Sequence, residues 1–330
     1  MADSKKRIMI IDGNNNFYRA WIVDPSLSSS NGQPIGGLKG FLKILQKLCR
    51  VINPDKIIIC WDGVGGSQRR KTMVKEYKDG RRPIHFNNNI VPNMSDEEKF
   101  NNQIWQLTRL ADYINDLPII QTMLEGVEAD DVIAYSVMHE GFKDYNKVIV
   151  SNDKDFYQLV ANDVIIHRPV NETFVGVKSV TEEYKIHPVN FALARAIAGD
   201  KSDNLEGVDG VGLKTLAKRV PILTENKFYT IQDVLKYCAD KDDGKIKAYK
   251  NIITSTKLIA RNYSVMQLSS PQLSFEDVRR IKHVYENSEC VFNKDEIKKK
   301  MIADGFGEFN AETLFNQMNK IVLENCTDLV

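Results

Sequence analysis

Arg7-Ile8-Met9-Ile10-Ile11-Asp12 is the stretch of sequence that decides the fold, an unbroken apolar run ending at a carboxylate. The pattern recurs at residues 56–62 (Lys-Ile-Ile-Ile-Cys-Trp-Asp) and at residues 147–153 (Lys-Val-Ile-Val-Ser-Asn-Asp). Continuous β-branched runs without polar alternation are typical of a parallel sheet that helices cover on both faces. The three runs therefore predict an α/β fold with a central, mainly parallel sheet and a ligand site at the carboxyl ends of its strands.

Carboxylates follow these strands or begin the neighbouring helices, and we interpret nine of them as a divalent-metal site. They are Asp12, Asp62, Glu128, Asp130, Asp131, Asp153, Asp155, Asp200 and Asp203. Two carboxylates about 4 Å apart repel by roughly 4 kcal/mol at a protein-like effective dielectric, so the cluster needs counter-charge. Hard oxygen ligands without Cys or His favour Mg²⁺, for which Mn²⁺ can substitute. For residues 128–131 alone, an acidic first turn that complements the helix dipole is an equally good explanation.

Length and composition indicate an ordinary soluble protein. The chain has 330 residues, of which 42% are hydrophobic and 27% charged, enough for one large core and a smaller second one. No apolar run approaches the length of a membrane span, and the first residues lack the apolar stretch of a signal peptide, so we expect a cytoplasmic protein with no membrane partner. The 5 cysteines are scattered without a CxxC pair, which favours reduced thiols over disulfides or zinc.

The charge distribution indicates a polyanionic partner. The formal net charge is +1, but neutralising the clustered acids would leave about ten positive charges on the rest of the molecule. Basic residues are also concentrated directly after Asp62, namely Arg69, Arg70, Lys71, Lys75, Lys78, Arg81 and Arg82. Such a run is usually a solvated helix face. Its position beside the acids makes it a candidate DNA-binding segment.

The alternation of strands and helices predicts two regions. We expect an α/β core at residues 1–185, with an insertion at about 63–103, and a mainly helical region at 186–330 that includes a C-terminal extension. Long insertions in compact domains are usually functional or mobile. Because the insertion is polar and carries like charges, we expect residues 66–98 to be mobile without DNA.

A glycine-rich stretch in the helical region has two interpretations. It contains Gly207, Gly210, Gly212, Lys214 and Thr215. A simple turn between helices is one explanation. The other is a helix-turn-helix element, at about 190–222, whose main chain approaches a DNA backbone phosphate or a monovalent cation such as K⁺. The glycine spacing does not fit a P-loop.

The order of these motifs resembles that of the 5′-nuclease or flap-endonuclease family, which includes the nuclease domain of bacterial DNA polymerase I and free-standing bacteriophage 5′-exonucleases. The similarity extends over about residues 7–265. Its motifs are Ile11-Asp12-Gly13-Asn14 with Arg19, Trp61-Asp62-Gly63, Tyr77-Lys78-Asp79-Gly80-Arg81, Glu128-Ala129-Asp130-Asp131, Ser151-Asn152-Asp153-Lys154-Asp155, and Gly199-Asp200-Lys201-Ser202-Asp203-Asn204 through Lys214-Thr215. The last of these is similar to the acidic pair and helix-three-turn-helix of the family.

The resemblance implies phosphodiester hydrolysis assisted by two metal ions. One ion would be held by Asp62, Glu128 and Asp130, with Asp12 close by. The other would be held by Asp153, Asp155 and Asp203, with Asp131 and Asp200 acting through water. In the insertion, Lys78 and Arg81 would neutralise charge on the phosphate and Tyr77 would stack on a frayed base. Arg19 falls where the family commonly has an arginine.

We therefore predict a monomeric, structure-specific 5′-nuclease, acting as 5′→3′ exonuclease and flap endonuclease in primer removal during replication, in a bacterium or a phage-infected cell. Its expected partners are DNA with 5′ flaps or ends, RNA–DNA hybrid, and a single-stranded-DNA-binding protein or another replication protein. One alternative is a PIN-type ribonuclease, against which the basic insertion and the glycine stretch argue. The other is an inactive DNA-junction binder, in which so many uncompensated acids would be destabilising.

Overall fold

A central sheet organises the computed structural model, which describes residues 5–24, 27–79, 94–288 and 290–326. The sheet has 6 strands in the order β3-β2-β1-β4-β5-β6. They are β1 (Arg7–Asp12), β2 (Lys56–Trp61), β3 (Ile120–Met123), β4 (Asn146–Val150), β5 (Val164–Arg168) and β6 (Thr173–Val175). All neighbouring pairs are parallel except β5 and β6. The predicted mainly parallel sheet is confirmed.

The register of the strands brings the acids to one edge. Ile11 of β1 lies opposite Ile59 of β2 on one side and Val150 of β4 on the other. The chain continues from these positions to Asp12, Asp62 and Asp153. Because parallel strands end at the same edge, the three carboxylates emerge together, as the sequence predicts.

Helices cover both faces of the sheet. On one face, alternate residues of β1 such as Met9 and Ile11 pack in a cluster with α1 (Gly13–Val23), α2 (Gly36–Ile52) and α4 (Asp96–Ile114). On the other face, Ile8 and Ile10 pack with α5 (Ala129–Met138) and α6 (Val177–Tyr184). The strands are therefore buried on both sides, which accounts for their continuous apolar sequence.

The insertion after β2 is anchored where the structure describes it. Helix α3 (Gln68–Met73) leads into Val74 and Tyr77, which are buried in a small cluster with Leu205, Val265 and Met266. The premise that few apolar side chains anchor this segment is therefore wrong for residues 66–79, and the mobility expected without DNA stays a prediction. Residues 80–93, including Arg81 and Arg82, lie outside the described residues.

The helical region begins after α6. It contains α7 (Phe191–Ala198), α8 (Leu213–Arg219), α9 (Ile231–Lys241), α10 (Lys247–Thr254), α11 (Thr256–Met266) and α12 (Phe275–Asn287). Helices α7 and α8 flank the glycine stretch, which forms the turn of a helix-turn-helix. At Gly207 an added Cβ would lie 2.0 Å from the carbonyl oxygen of Ala198, so only glycine allows the turn to cross the end of α7. Residues Asp155–Leu159, which follow β4, form a 3₁₀ turn.

The C-terminal helices return to the α/β core. Helices α13 (Lys294–Ala303) and α14 (Glu312–Cys326) contribute Ile297, Leu314 and Phe315 to the cluster that contains α1, α2 and α4. Asp304 accepts hydrogen bonds from Arg109 Nε (2.8 Å) and the Tyr113 hydroxyl (2.7 Å) of α4. By their packing, residues 294–326 therefore belong with the core rather than with the helical region. Among the described helices, none is both long and apolar enough to cross a membrane.

Candidate active site

The predicted acids converge on one open cavity of about 470 Å³ at the carboxyl ends of β1, β2 and β4. Six of the predicted metal ligands line it, namely Asp12, Asp62, Asp130, Asp153, Asp155 and Asp203. Lys78, which the resemblance places on the phosphate, and Arg19, which stands where the family commonly has an arginine, line the same cavity. The structure thus brings together residues that are up to 191 positions apart, counting from Asp12 to Asp203.

Asp12 is held in place by the start of α1. Its Oδ1 accepts a hydrogen bond from the Asn15 amide (3.0 Å), which caps the helix, and its Oδ2 accepts one from Ser151 Oγ (2.8 Å). Burial raises the pKa of Asp12 to about 7; the Asn15 amide opposes this rise, and the negative charges of Asp62 and Asp153 add to it. The carboxylate is therefore fixed in direction but short of positive charge.

Asp62 is fixed from two sides. Its Oδ1 accepts a hydrogen bond from the Ala129 amide at the start of α5 (2.8 Å), and its own amide donates to Asn14 Oδ1 (3.0 Å). Nearby Asp130, one residue into α5, has a pKa raised well above its usual range, mainly by burial. The helix start thus orients one acid and adds a second to the cavity.

Three further acids form a compact group. Asp155, Asp200 and Asp203 each offer a carboxylate oxygen, and these oxygens lie within 4.8 Å of one another. Arg195 of α7 compensates part of this charge, because its Nη2 donates to Asp155 Oδ1 (2.8 Å) and also to Asp200 Oδ2. Burial, increased by repulsion from Asp153 and Asp203, nevertheless raises the pKa of Asp155 to about 7.

Glu128 and Asp131, predicted as metal ligands, are not among the residues that line the cavity. Arg70 lies between them, with Nη1 2.7 Å from an oxygen of each acid and Nη2 3.1 Å from Asp131 Oδ1. Arg70 Nε also donates to the Val265 carbonyl (2.9 Å). With only 2% of its surface exposed, Arg70 is not available to contact DNA as predicted. Its guanidinium is an internal counter-ion instead.

Lys78 and Tyr77 also differ in their placement. Tyr77 is buried, and its hydroxyl donates to Glu128 Oε2 (3.3 Å), so it is not free to stack on a base as predicted. Lys78 adopts a left-handed conformation (φ 56°), and its amide donates to the Asp203 carbonyl (3.0 Å). Its ammonium pairs with Glu128 at the wall of the cavity. These contacts fix the backbone of Lys78 beside the acids.

Arg19 is the least compensated cation of the cavity. Its Nη1 is buried, and no described residue accepts a hydrogen bond from that atom. Burial lowers the pKa of the Arg19 guanidinium, although the charge of Glu172 opposes this. An anionic group in the cavity would supply the missing acceptor.

The remaining predicted DNA-binding residues lie at the surface. Arg69 pairs with Asp277 (2.8 Å), Lys71 pairs with Asp79 (3.0 Å), and Lys75 is exposed. In the glycine turn, an added Cβ at Gly210 or at Gly212 would meet nothing within 4 Å. Lys214, at the start of α8, is exposed, and Thr215 is half-buried. A ligand can therefore approach the main chain of this turn closely from its open side.

The donor set fits hard divalent cations. All six acids of the cavity offer oxygen, and no Cys or His among the described residues lines it. The raised pKa values of Asp12, Asp130 and Asp155 indicate that the cations of the described residues do not neutralise these carboxylates. Mg²⁺ and Mn²⁺ take such ligands.

Sequence reasoning missed residues that complete the site. Arg195 compensates two acids, Asn14 holds the backbone at Asp62, and Tyr18 lines the cavity. Arg195 precedes Asp200 by five positions at the end of a short apolar helix. A single basic residue in an otherwise apolar helix is a usable signal for a half-buried counter-ion.

Comparisons with known proteins identify relatives of this chain. Residues 7–185 match a family model described as 5′-3′ exonuclease, N-terminal resolvase-like domain. A 5′-3′ exonuclease of Aquifex aeolicus (strain VF5) is 31% identical over 232 residues, which cover 70% of this chain and 73% of that protein. DNA polymerase I of Caldicellulosiruptor bescii is 30% identical over 219 residues, 64% of this chain and 24% of the polymerase.

Solved structures show the same fold. The structure described as divalent metal ions (zinc) bound to T5 5′-exonuclease superposes with a TM-score of 0.63 at 20% identity, covering 91% of this chain and 98% of that one. The T5 D15 flap endonuclease (D155K) pseudo-enzyme-product complex with DNA and metal ions superposes with a TM-score of 0.63 at 20% identity, covering 91% of this chain and 100% of that one. At this identity the likeness is one of fold.

Arg70→Met should destabilise the protein by about 3–5 kcal/mol, because it leaves Asp131 buried without counter-charge and Glu128 with Lys78 alone. The measurement is urea unfolding at pH 7, with exposed Lys75→Met as the control, expected to stay within about 0.5 kcal/mol of the parent. A loss below about 1 kcal/mol would contradict the role of Arg70 as internal counter-ion.

Asp12→Asn should stabilise the metal-free protein, more at pH 8 than at pH 5. The folded pKa of Asp12 is raised from 3.8 to about 7, so the folded state holds a proton that the unfolded state releases, and stability is lost as pH rises between these values. Asparagine keeps the helix cap but carries no charge. The free energy of unfolding should rise by at most about 4 kcal/mol relative to the parent.

The measurement for Asp12→Asn is the free energy of unfolding in EDTA at both pH values. Exposed Asp240→Asn serves as the control and should show no such pH-dependent gain. Equal stability of Asp12→Asn and the parent at pH 8 would show that Asp12 carries no electrostatic strain.

Proposed function

The chain belongs to the 5′–3′ exonuclease family, whose model matches residues 7–185, and we propose that it cuts DNA and RNA-primed DNA at 5′ ends and 5′ flaps with two Mg²⁺ ions. It is a metal-dependent nuclease. The observation that carries the proposal is the cavity in which six carboxylates meet Arg19 and Lys78. Carboxylates would hold the ions, and the two cations would face the phosphate. Primer removal during replication is the process that such an activity would serve, with a single-stranded-DNA-binding protein or another replication protein as partner.

The geometry supports an assignment of the acids to two sets. Asp12, Asp62 and Asp130, at the ends of β1 and β2 and the start of α5, would hold one ion. Asp155, Asp200 and Asp203, with oxygens within 4.8 Å of one another, would hold the other, beside Asp153. Bound ions of this kind activate water and stabilise the leaving oxygen of a phosphodiester.

The ion pair between Lys78 and Glu128 is the part of the site that the substrate would change. Lys78 Nζ is bonded to Glu128, but its backbone is anchored to Asp203, so the side chain can turn without moving the chain. An incoming phosphate would compete for the ammonium and would release Glu128 Oε1 towards the first set of acids, while Glu128 Oε2 stays with Arg70 and Tyr77. Positive charge placed where negative charge develops is the main catalytic contribution that a side chain can make here.

The glycine turn supports a grip on duplex DNA. It follows Asp203 directly, so a duplex backbone held there would lead into the cavity. The open faces of Gly210 and Gly212 allow a phosphate, or a K⁺ ion shared with the phosphate, to approach the main chain. Exposed Lys214 would add a phosphate contact without reading the base sequence.

The function is tested by incubating the protein with Mg²⁺ and, separately, a 5′-flap DNA, a blunt duplex and a single-stranded RNA. We expect cleavage of the flap and of duplex 5′ ends. Asp155→Asn should lower the cleavage rate by more than about 100-fold, the scale of losing one essential electrostatic group. Flap-DNA binding in EDTA should not weaken, because the change removes a negative charge.

Asp240→Asn is the matched control for Asp155→Asn and should cut at the parent rate. Wild-type turnover of Asp155→Asn in saturating Mg²⁺ would sink the assignment of the Asp155 group. Cleavage of the RNA alone would indicate a PIN-type ribonuclease, and flap binding without cleavage would indicate a junction binder.

Lys214→Ala should weaken binding to all duplex sequences alike. Losing one phosphate contact makes the dependence of log K on log salt shallower by about 0.9. The measurement is a binding titration at several salt concentrations, with exposed Lys143→Ala, at the opposite end of β4, as the control. An unchanged slope would leave the glycine stretch a simple turn.

A further inference from the structure

A second cavity adjoins the acid cavity and shares Asn14 and Asp62 with it. It has a volume of about 240 Å³. The side chains that complete its wall are Trp61, Leu107, Ala111, Gln121 and Met123. We call this cavity the β3 slot, because it lies between the end of edge strand β3 and helix α4.

The wall of the β3 slot is preformed. Trp61 packs on Phe41 with ring centroids 5.8 Å apart, and an added Cβ at Gly13 would lie 2.4 Å from the Trp61 ring. Trp61 Nε1 donates to Gln121 Oε1 (3.0 Å), and Gln121 Nε2 donates to the Ala111 carbonyl (3.0 Å). These polar groups satisfy one another, so the slot presents a mainly apolar surface beside a metal-ligand acid.

One wall residue is notable for its exposure. Met123 ends β3 with 64% of its surface accessible, and β3 is an edge strand with no neighbouring strand on that side in the described part of the chain. An exposed thioether beside a preformed apolar wall is suited to contact with flat aromatic groups of varied shape. The small volume fits a single ring system, since sites for larger ligands run from about 300 Å³ upward.

The order of the strands gives the slot a place along the substrate. Asp155 follows β4, and Asp203 and the glycine turn lie on the β4 side of the acid cavity. Asp62 follows β2, on the other side of the cavity, and the β3 slot lies beyond Asp62 towards β3. A strand whose duplex part is held at the turn would therefore cross the acids and reach the slot at the nucleotide that leaves the duplex.

We propose that the β3 slot binds the unpaired nucleobase of the nucleotide on the 5′ side of the scissile phosphate. The inference rests on the proposed function and adds a subsite to it. Contact with an apolar, aromatic wall is tolerant of sequence because every base has an apolar face. The slot would hold the departing nucleotide and thereby keep the phosphate between the two sets of acids.

The experiment compares two 5′-flap DNAs that differ only in whether this nucleotide carries its base or is abasic. In single-turnover cleavage with Mg²⁺, the parent should cut the base-bearing DNA faster by about fivefold or more, the scale of one base contact. Ala111→Leu, which fills the slot, and Met123→Ala, which removes its exposed edge, should bring this ratio towards one. Ala239→Leu, an exposed alanine of α9, is the matched control and should keep the parent ratio.

A second arm does not depend on cleavage. A flap DNA with 2-aminopurine as that base is bound to the protein in EDTA, and its emission should change with the parent and with Ala239→Leu but not with Ala111→Leu. Unchanged emission with the parent, equal cutting of both DNAs, or a parent ratio in both slot variants would overturn the proposal. Equal cutting leaves the nuclease function intact, whereas failure of the proposed function would appear as no cleavage of either DNA.

Discussion

Repulsion among carboxylates at one edge of a sheet is the constraint on which the rest of the structure depends. The parallel register forces Asp12, Asp62 and Asp153 to emerge together, and α5 and the 3₁₀ turn after β4 add Asp130 and Asp155. Each close pair opposes folding by several kcal/mol unless it is compensated. The fold compensates this repulsion with the buried Arg70, the half-buried Arg195 and Lys78, none of which belongs to the sheet. Compensation of charge is therefore also what joins the insertion and the helical region to the α/β core.

The insertion illustrates this coupling. Arg70 contacts acids of α5 and the Val265 carbonyl of α11, while Arg69 contacts Asp277 at the start of α12. Breaking one partner of such a buried network leaves an unpaired charge, which is far more destabilising than losing a surface pair. Glu128 and Asp131 thus hold the first part of the insertion through Arg70. Because Glu128 also pairs with the Lys78 ammonium, a change in the charge of Glu128 acts directly on the position of the Lys78 side chain.

The sequence predicts the parts that depend on local pattern. The apolar runs identify β1, β2 and β4, and the acids after them identify the edge where the cavity lies. It does not predict burial that depends on distant partners. Arg70 stands in a basic run that is typical of a solvated surface, and only the meeting of α3 with α5 and α11 shows it to be internal. Tyr77 is likewise buried by residues more than a hundred positions away.

The block Glu128-Ala129-Asp130-Asp131 shows how one motif divides its acids between structure and chemistry. Residues three apart on a helix lie on the same face, so Glu128 and Asp131 meet the same arginine. Asp130 falls on a different face and lines the cavity with Asp12 and Asp62. Arg70 therefore neutralises the pair that faces inward, whereas burial keeps the pKa of Asp130 raised even though the charge of Lys78 opposes the rise. The helix start thus places two acids against a permanent cation and a third acid, Asp130, in an open cavity. The carboxylate of Asp130 is therefore the one in this block that an exchangeable cation can reach.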